Sequence, residues 1–558
     1  MEVTMNGIEL VLLAFIFYAL AYKFYGALLI KKFKVSDENK TPSHTLYDGV
    51  DYVPAKAPVL LGHHFASIAG AGPIVGPVIA AGFGWLPVYL WIILGAIFIG
   101  GVHDFSSIIA SVRHKSKSIG FIIRTYIGES GKKLFLLFAW STLILVIAVF
   151  VIIVSETFAN ITSVATASTL FIFLAVLFGI IIYRLKLNLV IATVLGILLM
   201  GLSVYAGMIY PISLSKIEWQ VILLVYVFVA SVTPVWILLQ PRDYLNSFLL
   251  YGVLFGGLIG VFFAKPNVNL PAFNTFNLEK VGYLFPALFV TVACGAISGF
   301  HSLVGSGTTA KQLNKETDAR IVGYGGMLIE GLLAVLSLTA VASMVNKEFI
   351  EILKTQGPVS AFSLGVARFF NSIPYLGISI ETGQTFSALA VSAFALTSLD
   401  TATRLARYMF QEFFEIKSSN LDKKNNKILS NRFVATGITV IIGASLTFSG
   451  QSMSIWPVFG SANQLLAALA LLALTVYVAF LKEKKLFVMI PMLFMFSVTL
   501  TALGMLIYSN FIMKQYVLSF ISFLLFSLAI LLGIKGHYVL TNNRYQIKDV
   551  EEFGIAGR

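Results

Sequence analysis

The chain has 558 residues, 58% of them hydrophobic and 12% charged, which excludes a soluble enzyme with one buried core and points to a polytopic membrane protein. Its net charge of +13 is read in so apolar a chain as basic cytoplasmic loops against an anionic leaflet, not as a nucleic-acid surface. The single cysteine, Cys294, excludes an internal disulfide and a cysteine-based metal site.

The first apolar run, Ile8 to Ile30, follows Glu2 and Glu9 instead of a basic segment and is long, so an anchor is expected and not a signal peptide. Further runs start near residues 58, 85, 133, 167, 187, 218 and 244, then near 284, 320, 384, 430, 453, 486 and 515. At roughly twenty residues per crossing this gives an all-α protein of about fifteen transmembrane helices. The basic clusters Lys31 to Lys34, Arg113 to Lys117, Lys311 to Arg320, Arg404 to Arg432 and Lys482 to Lys485 share one side if the N-terminus is outside. The positive-inside rule makes that side cytoplasmic, with the C-terminus on it.

One stretch, His63 to Pro77, reads HHFASIAGAGPIVGP, and its glycines and prolines interrupt a run otherwise apolar enough to span. Gly72 followed by Pro73 releases backbone groups that hydrocarbon cannot satisfy, which predicts a discontinuous helix lining a cavity. Its pattern F-x-S-x-x-G-x-G, from Phe65 to Gly72, recurs from Phe300 to Gly307. About seven helices, an odd number, separate the copies, so the second runs the opposite way through the membrane and the two halves form an inverted repeat. The expected organisation is an N-terminal helix and cytoplasmic linker over 1–54, a first repeat over 55–265, a second over 266–535 and a cytoplasmic tail over 536–558. Amphipathic segments at Ser118 to Lys132 and Val359 to Ile373 correspond in the two halves, on opposite sides. The alternative is two unrelated glycine-rich helices packed closely.

Each break offers anion chemistry, since the half-helix after Gly72 opens with Pro73 and the segment after Gly307 with Thr308 and Thr309. Free N–H groups and the positive dipole end would then face a small carboxylate. The expected substrate site is Ser67, Gly70, Gly72 and Pro73 with Ser302, Gly305, Gly307 and Thr308. Ionisable residues at membrane depth cost about 2.5–3.5 kcal/mol on insertion scales and usually face a cavity. Asp400 with Thr397 and Ser398 suits a coupling cation, or is a polar patch paired with Arg404 or Arg407. Glu330 is a proton carrier or a structural carboxyl, and His103 with Asp104 is a proton site or a capping pair beside Arg113. His63, His64 and His103 suggest a metal site only weakly, and no metal is expected. Asn463 and Gln464 read as helix glue.

The strings YDGVDYVP, HHFASIAGAGPIVGP, GGVHDF, LLQPRDYLN, TSLDTATRLARYMFQE and WPVFGSANQLLAALAL together resemble the carbon starvation protein A family over most of the chain. The resemblance implies a transporter of the cytoplasmic membrane of a prokaryote that takes up peptides or pyruvate, the latter coupled to protons. It also implies kinship with the amino acid, polyamine and organocation transporter superfamily, whose inverted five-helix repeats begin with broken helices, so two additional helices per half must be accommodated. Some members have Gln where this chain has His103, which weakens that residue as a general proton carrier. The expected function is proton-coupled uptake of pyruvate or a short peptide by alternating access, without a cofactor and with sodium as the alternative ion. The competing classes are a membrane-embedded metal enzyme and a sensor with the Arg404 to Arg432 loop as its output. The sequence leaves the oligomeric state open.

Overall fold

A backbone in hydrocarbon must satisfy its own N–H and C=O groups, and this chain does so almost entirely with helices. The structure, a computed structural model, describes residues 5–49, 51–185, 187–233, 239–278, 281–415, 428–449 and 452–542. Glu2, Leu238, residues 416–427 of the basic loop and 543–558 of the expected tail lie outside the described residues.

In chain order the helices are α1 (Gly7–Lys32), the half-helices α2 (Ala57–Ile68) and α3 (Gly72–Ala80), α4 (Trp85–Arg113), the short α5 (Ile119–Ile127), α6 (Glu129–Asn160), α7 (Thr162–Tyr183), α8 (Leu189–Ile209), α9 (Lys216–Val232) and α10 (Leu239–Ala264). They continue with the half-helices α11 (Leu284–Thr291) and α12 (Gly299–Val304), α13 (Glu316–Ala342), the short α14 (Asn346–Thr355) and α15 (Pro358–Asn371), α16 (Ile380–Glu415), α17 (Arg432–Thr447), α18 (Ser452–Phe480), α19 (Leu486–Ile512) and α20 (Tyr516–Asn542). A helix stands at each of the fifteen expected starts. Among the described residues eleven are long and apolar enough to cross a membrane, and the α2–α3 pair, bent by 50°, makes a twelfth. The remaining three are α9 with 17 residues, α17 with 16, and the interrupted α11–α12 segment.

The order of broken span, long helix, short amphipathic helix and long helix occurs twice, as α2/α3, α4, α5, α6 and as α11/α12, α13, α14/α15, α16. The helices that end these series, α6 and α16, pack along each other more extensively than any other pair. The first break falls at residues 69–71, beside the Gly-Pro step. The second does not fall at Gly305 and Gly307. Residues 305–309 form a π-helical turn continuous with α12, and the unwound stretch is residues 292–298, ahead of the repeated motif.

The predicted basic clusters gather at one end of the bundle. Arg113 Nε and Nη2 donate to the Glu316 carboxylate at 3.0 and 3.3 Å, and Arg113 Nη2 also donates to the Phe33 carbonyl at 2.7 Å. Lys34 pairs with Glu483 at 2.6 Å, Lys311 with Asp51 at 3.4 Å and Lys132 with Glu412 at 2.6 Å. The linker after α1 is bonded to the second half of the chain. Ser43 Oγ donates to the Leu313 carbonyl at 2.8 Å, Ala55 bridges to Leu313, and Glu316 accepts from Ser36 N and Asn39 Nδ2, so the linker is tied to the end of the second broken span.

Candidate substrate and proton site

The two breaks meet. A Cβ placed on Gly72 would run into the Cys294 side chain, and one on Gly76 would stand 2.6 Å from the Thr291 carbonyl oxygen and 3.2 Å from Val292 Cα. Only glycine allows so close an approach of two backbones. Around this contact lies a small cavity of about 20 Å3, room for roughly one water. Gly70, Gly72, Cys294 and Ser298 of the breaks line it, with Phe300 of α12, Phe150 of α6, Ser398 of α16 and Asn463 of α18 among the others.

Both α3, opening at Gly72, and α12, opening at Gly299, begin at this cavity, so two positive dipole ends converge there. Pro73 sits in the first turn of α3, where it leaves no N–H unpaired. The second break is held from α18. Asn463 Oδ1 accepts the Phe300 N–H at 3.1 Å, Asn463 Nδ2 donates to Ser298 Oγ at 3.0 Å, and Gln464 Nε2 donates to the Phe289 carbonyl at 2.6 Å. The adjacent amides therefore serve the two ends of the unwound stretch, a more specific role than helix glue.

The expected substrate residues divide. Gly70 and Gly72 line the cavity. Ser67 spends its hydroxyl on the His63 carbonyl at 2.8 Å. Ser302 donates to the Gly299 carbonyl at 2.7 Å and Thr308 to the Val304 carbonyl at 2.9 Å, each satisfied within its own helical segment. Gly305 packs against Ile108, while a Cβ on Gly307 would meet nothing within 4 Å. In the second half Cys294, Ser298 and Phe300 occupy the places expected for Ser302, Gly305, Gly307 and Thr308, because the break lies earlier than the glycines suggested.

Behind α12 is a buried polar chain. Asp104 Oδ1 lies 2.7 Å from His103 Nδ1, Asp104 Oδ2 lies 2.8 Å from His301 Nδ1, and His301 Nε2 lies 3.3 Å from Glu330 Oε2. That last approach is ion-pair distance without hydrogen-bond alignment, so neither oxygen of Glu330 has a hydrogen-bond partner among the described residues. All four residues are at most 2% exposed. His301, adjacent to cavity-lining Phe300 and one of the imidazoles the sequence places at membrane depth, bridges the two carboxylates. Asp104 is thus held by two imidazoles and not by Arg113. His64 Nδ1 meets Thr309 Oγ1 at 2.8 Å. Among the described residues no group of three or more His, Cys, Asp or Glu is arranged to hold a metal ion.

Asp400 has a different environment from the one expected. Its carboxylate contacts the buried Arg242 guanidinium and accepts from Tyr226 Oη at 2.9 Å, while Arg242 Nη2 reaches Asp243 Oδ1 at 3.1 Å. Arg404 and Arg407 instead donate to the carbonyls of Ala230, Thr233 and Ser231 at the end of α9. Thr397 Oγ1 accepts from Asn246 Nδ2 at 2.6 Å, and Ser398 faces the cavity. The three residues grouped by sequence therefore separate into an ion pair, a helix contact and a cavity wall. Arg242, in the string LLQPRDYLN, is the cation that pattern reading passed over.

A family model described as carbon starvation protein CstA matches residues 6–354 and 345–502. The chain is 32% identical over 543 residues to the peptide transporter CstA of Bacillus subtilis (strain 168), covering 88% of this chain and 89% of that one. It is 30% identical over 582 residues to the pyruvate/proton symporter BtsT of Escherichia coli (strain K12), covering 88% and 80%. Among solved structures, a manganese transporter of Eremococcus coleocola aligns over 86% of this chain and 96% of its own, with 13% identity and a TM-score of 0.46.

Proposed function

The chain belongs to the carbon starvation protein CstA family, and from that premise we propose that it is a proton-coupled secondary transporter taking up a small carboxylate, pyruvate or a short peptide, across the cytoplasmic membrane of a prokaryote. The observation that carries this reading is the convergence of two half-helix N-termini on one cavity, with the Glu330–His301–Asp104 chain directly behind the second. The two positive dipole ends receive the carboxylate, the Phe300 N–H being committed to Asn463. Glu330 takes the coupling proton, and His301 and Asp104 relay it along α12 toward His103.

A sodium site at Asp400 is disfavoured, because a hard cation needs unclaimed oxygens and Arg242 already supplies the positive charge there. The reading needs no cofactor beyond the proton. It includes fifteen crossings, the N-terminus outside, the C-terminus inside, and inverted repeats over 55–265 and 266–535. The doubled order of elements and the joining of the basic clusters at one end support these finer points. Alternating access follows as rocking of one helix group about the breaks.

Uptake of labelled pyruvate and of a labelled dipeptide into proteoliposomes, under imposed proton or sodium gradients, tests the reading. Accumulation driven by an inward proton gradient alone is expected. Flux of every candidate that ignores both gradients would remove the coupling.

A further inference from the structure

The polar groups lining the cavity are not equally free. Asn463 and Ser298 hold each other, Asn463 Nδ2 also reaches the Cys294 sulfur at 3.5 Å, and the Asn463 oxygen is committed to the Phe300 N–H. Ser398 differs. It is 2% exposed, and its Oγ has no hydrogen-bond partner among the described residues. On the same helix Thr403 bonds back to the carbonyl four residues earlier, at 2.8 Å, while Ser387 and Ser392 share the lack of a partner but do not line the cavity. The Ser398 oxygen instead lies against the first break, where a Cβ on residue 70 would stand 2.6 Å from it. A buried hydroxyl without a partner costs free energy, and one facing a ligand site is satisfied when the ligand arrives.

We propose that Ser398 is the specificity-determining residue of this site, and that it selects a short 2-oxo monocarboxylate by donating a hydrogen bond to the oxygen on the carbon next to the carboxylate. The inference rests on the transporter reading and narrows its substrate. With the carboxylate held at the openings of α3 and α12, the next group along the ligand meets the wall formed by Gly70 and Ser398. The rest of the wall is apolar, with Ile68, Val146, Phe150 and Phe459, which suits a methyl or short alkyl group. Among the described residues no carboxylate side chain lines the cavity to receive the ammonium of a peptide. The cavity has room for about one water, so even pyruvate enters only as the packed groups around the breaks part during alternating access, and the smallest ligand demands the least displacement. A site built to hydrogen-bond an oxygen also rejects the analogue that lacks it, because its own polar group is then left unpaired.

The test is competition in counterflow. Purified wild-type protein and Ser398→Ala, in proteoliposomes loaded with pyruvate, exchange labelled pyruvate against external pyruvate, propionate or dialanine. Thermal unfolding with each ligand, read in detergent, measures binding separately from turnover. For wild type, pyruvate is expected to compete about tenfold more strongly than propionate, the worth of one hydrogen bond, and dialanine to compete least. In Ser398→Ala, pyruvate falls about tenfold to the level of propionate, whose own competition is unchanged. An equal loss of pyruvate and propionate makes Ser398 a structural residue and overturns the proposal. So does a pyruvate preference that survives the substitution, or a wild-type protein that binds dialanine as tightly as pyruvate. Proton-independent flux in wild type is a separate result and counts against the transporter reading itself.

Discussion

Glu330 and Asp400 are both fully buried carboxylates, yet their partners assign them opposite roles. Glu330 faces one imidazole with its oxygens otherwise unbonded, so it can accept and release a proton at the expense of one long contact. Glu330→Gln is expected to abolish proton-driven accumulation while leaving exchange of substrate across the membrane, which counterflow without a gradient measures. Accumulation at the wild-type level would take Glu330 out of the relay. Asp400 instead neutralises Arg242, and removing one member of a buried pair costs about 3–5 kcal/mol where no other partner remains, an upper bound here because Asp243 still faces the guanidinium. Asp400→Ala should therefore lower thermal stability, and Arg242→Met combined with Asp400→Leu should be less destabilised than either single change. A proton or sodium carrier at Asp400 predicts the reverse pattern, intact stability with lost coupling. The carboxylates of these networks, Asp104, Glu330 and Asp400, were legible in the sequence, because a charge at membrane depth is conspicuous, whereas Arg242 was passed over. Their pairing was not, since Arg242 and Asp400 lie 158 residues apart and Asp104 and His301 lie 197 apart.

At the scale of elements, the first break was legible and the second was misplaced, for one physical reason. Gly72-Pro73 disrupts a helix by local chemistry alone, because the proline lacks a donor and the glycine lacks a Cβ. The second break depends on distant side chains. Asn463 and Gln464 satisfy the Phe300 N–H and the Phe289 carbonyl on either side of the unwound residues 292–298, while the more glycine-rich Gly305–Thr309 stays helical as a π turn. Asn463→Ala should thus cost about 1–3 kcal/mol in thermal unfolding by leaving the Phe300 N–H buried and unpaired. The contact between breaks gives a sharper test through a double-mutant cycle. Gly72→Ala forces a methyl into Cys294, an overpacking worth about 1–3 kcal/mol that Cys294→Gly should largely relieve. Gly76→Ala meets the backbone of Thr291 and Val292, which cannot move aside, so Cys294→Gly should not rescue it. Equal rescue of both would mean that the breaks do not meet as described.

For the whole molecule, the decisive quantity is which end faces the cytoplasm, since the proposed inverted repeat has meaning only with the membrane in place. Positive charge alone suggested the answer, and the contacts joining Arg113 to Glu316, Lys34 to Glu483 and Lys311 to Asp51 put the separate clusters on a common end. The opposite end carries the α15–α16 connection, whose Tyr375 is fully exposed, whereas the α18–α19 connection carries exposed Lys484 beside the Lys34–Glu483 pair. Cys294, the chain's one cysteine, is buried at the breaks and should react little, so single introduced cysteines report on each end with low background. A membrane-impermeant maleimide applied to intact cells should label Tyr375→Cys within minutes and leave Lys484→Cys unlabelled until the membrane is opened. The reverse pattern would place the basic end outside, turn the proposed relay of Glu330, His301 and Asp104 the other way about, and convert the proposed proton-driven uptake into export.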